Sequence, residues 1–183
     1  MTSKTKVINL FGGPGCGKST CAAYVFAKLK MAGVNAELVT EFAKDKTWEH
    51  NSVALGCQPY VFGKQCYRLD RCADQVDVIV TDSPLLLTTI YNYDDDIEPE
   101  FRDMVLKKFN EFDNYNFFLR RWKKYNPIGR NQTEDEAKQL DCKIIEVLVK
   151  NKIEFESVEG RIDGFDSIIY KMIGVLNGKR DEV

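Results

Sequence analysis

The chain has 183 residues, of which 44% are hydrophobic and 30% are charged. At about 150 residues per domain, this length predicts one domain spanning residues 1–183, and the composition is that of an ordinary globular protein. The 26 basic and 28 acidic residues give a net charge of −2. A protein that coats nucleic acid through a broadly basic surface is therefore not expected.

The sequence gives no sign of a membrane or of an oxidising compartment. Its apolar runs fall well short of the roughly 18 residues that a membrane span needs, and residues 1–6 do not form a secretory signal. The six cysteines form no Cys-x-x-Cys pair, and His50 is the only histidine. We therefore expect free thiols, no zinc site of the usual Cys/His kind, no membrane partner and a cytoplasmic location, that of the host if the protein is viral.

Strand and helix patterns alternate along the chain. The spacing of apolar residues predicts strands over residues 6–11, 37–40, 76–81, 115–119 and 153–158. Helices are predicted over residues 18–31, 42–48, 60–75, 85–91, 100–112, 133–150 and 165–176. Residues 51–59, 91–99 and 120–132 are predicted to be loops. Five strands separated by helices indicate an α/β domain with a mostly parallel sheet.

Local signals support two of the helix ends. Gly33 follows the first long helix at the position of a C-cap, and Thr133 with Glu136 forms the pattern of a capping box. The loop between the fourth strand and this capped helix is basic and contains Pro127 and Gly129, so we expect it to be exposed.

Residues 12–19 read Gly-Gly-Pro-Gly-Cys-Gly-Lys-Ser and match the pattern G-x-x-x-x-G-K-[ST] between a strand and a helix. Glycines allow successive backbone N–H groups to face one anion, and the following helix adds its positive dipole end. Lys18 would neutralise the terminal phosphates and Ser19 would bind Mg²⁺. The pattern predicts ATP or GTP binding by Gly13, Pro14, Gly15, Cys16, Gly17, Lys18, Ser19 and Thr20.

Two carboxylates follow predicted strands at the edge where α/β sheets place their ligands. Asp82 follows the most strand-like run, residues 76–81, and is the candidate for binding Mg²⁺ or assisting catalysis. Glu41 follows the second strand, where a carboxylate can accept the proton of a substrate hydroxyl.

Phosphoryl transfer also needs positive charge near the transferred group. Arg130 is the first candidate and Arg120 the second, within a basic cluster that also contains Arg121, Lys123 and Lys124. Four residues nearer the middle of the chain are candidates for substrate binding. Arg68 and Arg71 would bind a phosphate, whereas the side chains that would bind a base are Trp48 and Gln65.

Three segments resemble a known family: residues 11–20, Phe-Gly-Gly-Pro-Gly-Cys-Gly-Lys-Ser-Thr, residues 41–44, Glu-Phe-Ala-Lys, and residues 81–84, Thr-Asp-Ser-Pro. They are similar to small P-loop kinases of the nicotinamide-riboside-kinase type and to nucleotide-kinase-like proteins of bacteriophages. The resemblance spans most of the chain. It implies a P-loop NTPase fold with a five-stranded parallel sheet in the order 2-3-1-4-5, ATP and Mg²⁺ as cofactors, and a LID-like loop at about residues 120–132.

Deoxynucleoside kinases resemble the chain more loosely. They carry a glutamate, a tryptophan, a glutamine and an arginine in the order of Glu41, Trp48, Gln65 and Arg68. They have Glu-Arg-Ser after the third strand, however, where this chain has Asp-Ser-Pro at residues 82–84. The substrate is therefore left open by this parallel.

Three functions are compatible with the sequence. The first is a kinase acting on the hydroxyl or the monophosphate of a nucleoside or nucleotide. The second is a polynucleotide or modified-base DNA kinase, in which residues 120–124, with Trp122, bind single-stranded DNA. The third is a nucleotide-binding regulatory ATPase or GTPase without kinase activity, since loops ordered by a γ-phosphate can signal.

Overall fold

A computed structural model of the chain describes residues 5–91, 98–126, 128 and 132–178. Its sheet has five strands: β1 (Lys6–Phe11), β2 (Ala36–Val39), β3 (Val78–Thr81), β4 (Asp113–Arg120) and β5 (Glu156–Glu159). All neighbouring pairs are parallel, and the spatial order is β2-β3-β1-β4-β5. The predicted fold class and strand order are thereby confirmed.

Helices connect the strands and cover both faces of the sheet. They are α1 (Lys18–Met31), α2 (Phe42–Trp48), α3 (Ser52–Gly56), α4 (Gln58–Asp70), α5 (Glu98–Phe109), α6 (Glu134–Lys150) and α7 (Ile162–Asn177), with a 3₁₀ helix at Leu85–Thr89. Within the described ranges, none of these helices has the length and apolar character needed to cross a membrane.

Two hydrophobic layers hold the helices to the sheet, because successive side chains of a strand point to opposite faces. Val7 and Phe11 of β1 pack in the layer that also contains residues of α4, α5 and α6. Ile8 and Leu10 pack in the other layer, with residues of α1 and α7. With both faces covered, the central strands β1 and β3 are fully buried, whereas the edge strand β5 is partly exposed. The carboxyl ends of the parallel strands meet at one edge, which is where the candidate site lies.

The prediction of a loop over residues 51–59 is wrong, because the structure has α3 and the start of α4 there. The Asn51 side chain accepts the backbone N–H of Ala54 at 3.0 Å and so caps α3. Pro59 lies in the first turn of α4. Asparagine before a helix and proline in its first turn are both helix-start signals, and here they mark helices instead of breaking one.

Both predicted helix-end signals are present. Thr133 and Glu136 form the capping box of α6, with the backbone N–H of Glu136 donating to Thr133 Oγ1 at 3.3 Å. The carboxylate of Glu136 in turn accepts the backbone N–H of Thr133 at 2.6 Å. Gly33 follows α1 with a φ of +80°. Such a backbone conformation favours glycine at the end of a helix.

Candidate nucleotide-binding site

The glycine-rich loop of residues 12–17 connects β1 to α1 at the carboxyl edge of the sheet. Gly17 stands directly before α1 with a φ of +103°, and Gly15 has a φ of +84°. A Cβ atom on Gly15 would lie 2.9 Å from a ring carbon of Tyr125, so this position excludes a side chain on two grounds. The backbone N–H groups of the loop thus lie directly before the N-terminus of a 14-residue helix.

Lys18 folds back over this loop. Its Nζ donates to the carbonyl oxygens of Gly12 at 2.6 Å and Gly13 at 3.2 Å. Burial disfavours the charged form, but Cys16, Tyr91, Glu41 and Asp82 together raise the pKa of Lys18 above its ordinary value. The ammonium group therefore remains charged at neutral pH, as phosphate binding requires.

A pocket of about 560 Å³ opens beside the loop. Of the residues predicted to bind the nucleotide, Gly13 and Cys16 do not line it, whereas Pro14, Gly15, Gly17, Lys18, Ser19 and Thr20 do. Glu41, Asp82 and Trp48 line the same pocket. The structure thus brings together residues that the sequence separates by more than 60 positions, from Lys18 to Asp82.

Asp82, directly after β3, offers a position for a cation. The residue is only 4% exposed, and within the described part of the chain its buried Oδ1 has no hydrogen-bond partner. Burial raises the pKa of Asp82 despite the opposing effects of Lys18 and of the backbone N–H groups of Glu41 and Asp82. An unpaired carboxylate oxygen, on a residue that lines the same pocket as Lys18, fits Mg²⁺, which prefers hard oxygen ligands. Ser19 lines the pocket as the second predicted ligand.

Glu41 stands at the N-cap of α2 and lines the pocket as well. Burial raises the pKa of its carboxyl group, Lys18 opposes the rise, and Asp82 adds to it. A carboxylate whose pKa is raised is a stronger base than an exposed glutamate. Its position and its basicity suit proton acceptance from a bound hydroxyl group.

Residues 120–132 are called the basic loop below. Their described lysines and Arg120 lie in different places relative to the pocket. Lys123 and Lys124 line the pocket. Arg120 does not line it, and its side chain is 59% exposed with its guanidinium 3.6 Å from Glu159 Oε1. Arg130 lies outside the described residues. Within the described residues, the positive charge that the basic loop brings to the pocket therefore comes from lysines.

The sequence placed Arg121 only in the basic cluster and did not predict its structural role, which is to join the glycine-rich loop to α6. Its guanidinium donates to the carbonyl oxygens of Pro14 at 2.7 Å and Ala137 at 2.9 Å, and to Asp141 Oδ2 at 2.5 Å. The other oxygen of Asp141 accepts the backbone N–H of Gly13 at 2.5 Å. These partners are up to 128 positions apart, so no local pattern reveals the pairing.

The four residues predicted to bind the substrate take different places. Trp48 is 60% exposed and lines the pocket, whereas Gln65, Arg68 and Arg71 do not. Gln65 is 1% exposed, and Arg68 forms an ion pair with Asp45 at 2.5 Å. The guanidinium of Arg71 lies 3.8 Å from Glu37 Oε1. Substrate binding by these four residues stays a prediction.

Gln58 is a pocket residue that the sequence did not single out, because it lies in the stretch predicted to be a loop. It is 6% exposed, and its Nε2 donates to the carbonyl oxygen of Leu55 at 2.8 Å. A carbonyl only accepts, so this bond fixes which end of the amide is which. Among the described contacts, its Oε1 receives no donor and is available to a ligand.

A parallel sheet in the order 2-3-1-4-5, with a glycine-rich loop between β1 and α1, defines a P-loop NTPase fold. The chain belongs to the AAA domain family AAA_28, whose sequence profile matches residues 7–163. A comparison of the sequence with curated proteins gave no match.

Several solved kinases have a similar fold at low sequence identity. A deoxyadenosine kinase from M. mycoides with bound dATP is 18% identical, with a TM-score of 0.59 over 93% of this chain and 99% of that chain. A shikimate kinase from Bacteroides thetaiotaomicron is 13% identical, with a TM-score of 0.52 over 96% and 99%. The APS kinase from Mycobacterium tuberculosis in complex with AMPPNP and APS is 14% identical, with a TM-score of 0.50 over 96% and 99%. At these identities the likeness shows the fold alone.

Proposed function

We propose that the protein is a Mg²⁺-dependent phosphotransferase that moves the terminal phosphate of ATP, or of GTP, to a nucleoside or nucleotide. One observation carries this proposal: Lys18, Glu41 and Asp82 line one pocket. A phosphate-binding cation, a basic carboxylate and a carboxylate for Mg²⁺ are the groups that transfer to an acceptor requires. A protein that only binds a nucleotide has no need of the basic carboxylate.

The donor nucleotide would bind along the glycine-rich loop. The N-terminus of α1 and the charged Lys18 favour its phosphates, and Ser19 and Asp82 would hold Mg²⁺. The ion would neutralise charge on the phosphates, while Lys123 and Lys124 bring further positive charge to the same pocket. In this proposal the basic loop acts as a LID over the donor, with Arg130 and Arg120 as candidates for contacting the transferred group.

The acceptor that the site favours is a hydroxyl group. Its oxygen would form a bond to the terminal phosphorus as the bond to the leaving diphosphate oxygen breaks, and its proton would pass to Glu41. A monophosphate acceptor needs no such base, and it would need cations in place of this acidic pair. Arg68 and Arg71, the cations predicted for that role, bind Asp45 and Glu37.

The finer relationship is also part of this proposal. The segments at residues 11–20, 41–44 and 81–84 support a place among the kinases of the nicotinamide-riboside-kinase type and their bacteriophage counterparts. All six cysteines are free thiols, as suits a reducing compartment that supplies ATP and Mg²⁺. We infer that the protein works in the cytoplasm as a single domain.

A screen of acceptors tests the proposed function. Labelled ATP or GTP with Mg²⁺ is incubated with the protein and with pooled nucleosides, nucleotides or single-stranded DNA, and Lys18→Met serves as the inactive control. Label on a nucleoside or nucleotide is the expected result. Label on DNA instead would favour a polynucleotide kinase, and release of phosphate to water alone would favour a regulatory NTPase; either outcome overturns the proposal.

A further inference from the structure

The two peptide groups on either side of Glu41 are held by one buried side chain of α4. Gln65 Nε2 donates to the carbonyl oxygen of Thr40 at 3.3 Å, and Gln65 Oε1 accepts the backbone N–H of Phe42 at 3.0 Å. The glutamine is 1% exposed, so the bond to Phe42 is shielded from water and the bond to Thr40 is partly shielded. A single amide thus binds the peptide before Glu41 and the peptide after it.

Arg68, one turn further along α4, supports the same segment. Its guanidinium donates to the carbonyl oxygen of Thr40 at 3.1 Å and to Asp45 of α2 at 2.5 Å. It also lies over the ring of Phe42, 5.3 Å from the ring centroid. The bonds from Arg68 therefore hold both Thr40, the first residue after β2, and the helix that Glu41 caps.

The carbonyl before Glu41 and the N–H after it are therefore both engaged by side chains of α4. Because these groups determine the φ and ψ angles of Glu41, they set the direction in which its side chain leaves the backbone.

We propose that Gln65 and Arg68 are positioning residues that hold the backbone of Glu41 so that its carboxylate meets the acceptor hydroxyl. The inference rests on the proposed function, since it needs Glu41 to act as the base. It gives these two side chains a different role from the contact with a base or a phosphate that the sequence predicts. A buried amide that turned to a substrate would leave the N–H of Phe42 without this acceptor.

Steady-state kinetics with the best acceptor from the screen test this role. Gln65→Met has a similar volume but loses both hydrogen bonds, and kcat should fall roughly 10- to 100-fold because small displacements of a reacting group are costly. The KM values for nucleotide and acceptor should stay close to those of the wild type. Thr89→Val is the matched control, since it removes a buried hydrogen bond to the Leu86 carbonyl made by a side chain that does not line the pocket.

A double variant separates positioning from other roles. If Gln65 acts through Glu41, then Gln65→Met should cause no further loss of kcat in a Glu41→Gln background. Losses that multiply would overturn the inference. A raised KM for the acceptor with unchanged kcat would overturn it as well, and would indicate direct contact between Gln65 and the substrate.

Arg68→Met keeps the test decisive if Gln65→Met does not fold, because the Arg68 side chain is partly exposed. It should lower kcat by a smaller factor, again only when Glu41 is present. If the wild type labels an acceptor but the loss of kcat in each variant multiplies with the loss in Glu41→Gln, only the positioning role is rejected. A wild type that labels no acceptor in the screen rejects the proposed function and this inference together.

Discussion

The two sides of the pocket are built in opposite ways. The proposed donor side consists of contiguous residues, 12–20, whose glycines shape a backbone that ends in α1. The proposed acceptor side brings together Glu41, Trp48 and Gln58 from the connections and helices between β2 and β3. On the first side the proposed binding uses backbone N–H groups with Lys18 and Ser19 from the same segment, whereas on the second it uses side chains from separate elements.

This difference shows which kinds of site a sequence reveals. A loop of backbone N–H groups depends on glycines at fixed spacing, so the pattern itself states the geometry. A side chain such as Gln65 has the same identity whether it faces a ligand or holds a backbone, and only tertiary packing decides.

Replacing Lys18 should have the largest effect. Lys18→Met removes the charge aimed at the terminal phosphates, so kcat should fall by roughly 10²- to 10³-fold or more. Lys28→Met, in the last turn of α1, is the control and should leave kcat unchanged. Label-transfer assays at saturating ATP measure both; near wild-type activity in Lys18→Met would contradict the proposed donor side.

Asp82 should set the dependence on Mg²⁺. Chelation of the metal should abolish transfer, and Asp82→Asn should both lower kcat by roughly 10²-fold and shift the Mg²⁺ requirement to higher concentration, because the amide is a weaker ligand. Asp77→Asn, at the other end of the same strand, is the matched control. A Mg²⁺ titration of activity that is identical in Asp82→Asn and wild type would exclude Asp82 as a ligand.

Gln58 tests the acceptor side. Gln58→Leu removes an acceptor atom that is fixed by the Leu55 carbonyl, so the KM for the acceptor should rise about 5- to 100-fold, as expected for the loss of one buried hydrogen bond to a ligand. The kcat and the KM for ATP should change little. Gln75→Leu, which replaces an exposed glutamine after α4, provides the comparison. Equal effects of the two variants on the KM for the acceptor would count against a substrate role for Gln58.

Thr133 lies outside both sides of the pocket and should affect stability alone. Thr133→Ala removes the N-cap of α6 and should lower the free energy of unfolding by about 1 kcal/mol at neutral pH. The kinetic constants should be unchanged. Denaturant titrations with parallel assays measure both; a matching loss of kcat would mean that destabilisation alone alters activity, and the effects on the pocket would need that correction.

The same capping box gives a pH dependence of known sign. Hydrogen bonds from the backbone N–H and the hydroxyl of Thr133 lower the pKa of Glu136 below its ordinary value. A lowered pKa in the folded state adds stability above the unfolded pKa, and this stability is lost as the pH falls through the lowered value. The difference in the free energy of unfolding between wild type and Thr133→Ala, measured by denaturant titration, should therefore shrink in acid.

Much of the fold could be predicted because local and global signals agree. The β1, α1 and α2 bounds follow from apolar spacing, and the capping box of Thr133 and Glu136 marks the start of α6. The helices α3 and α4 could not be placed correctly, since Asn51 and Pro59 occur in turns as well as at helix starts.

The site divides along the same line. Lys18, Glu41 and Asp82 could be placed at one edge because each follows a strand of a parallel sheet. Arg121 could not, since its contacts depend on Asp141, which only the folded chain brings to it. Gln58 could not, since it lies in the stretch predicted to be a loop. The proposed roles of Gln65 and Arg68 were equally hidden, because these side chains bind backbone groups of a distant segment.

The bonds that Arg121 makes have a consequence for the evolution of this family. Arg121 and Asp141 bind each other, and each also binds the backbone of the glycine-rich loop. A change at either position therefore leaves the other charge without its partner. Among homologous chains, the two positions should therefore be exchanged as a pair, such as two apolar residues or a reversed charge. An alignment in which they covary would identify the relatives that hold the phosphate loop against α6 in this way.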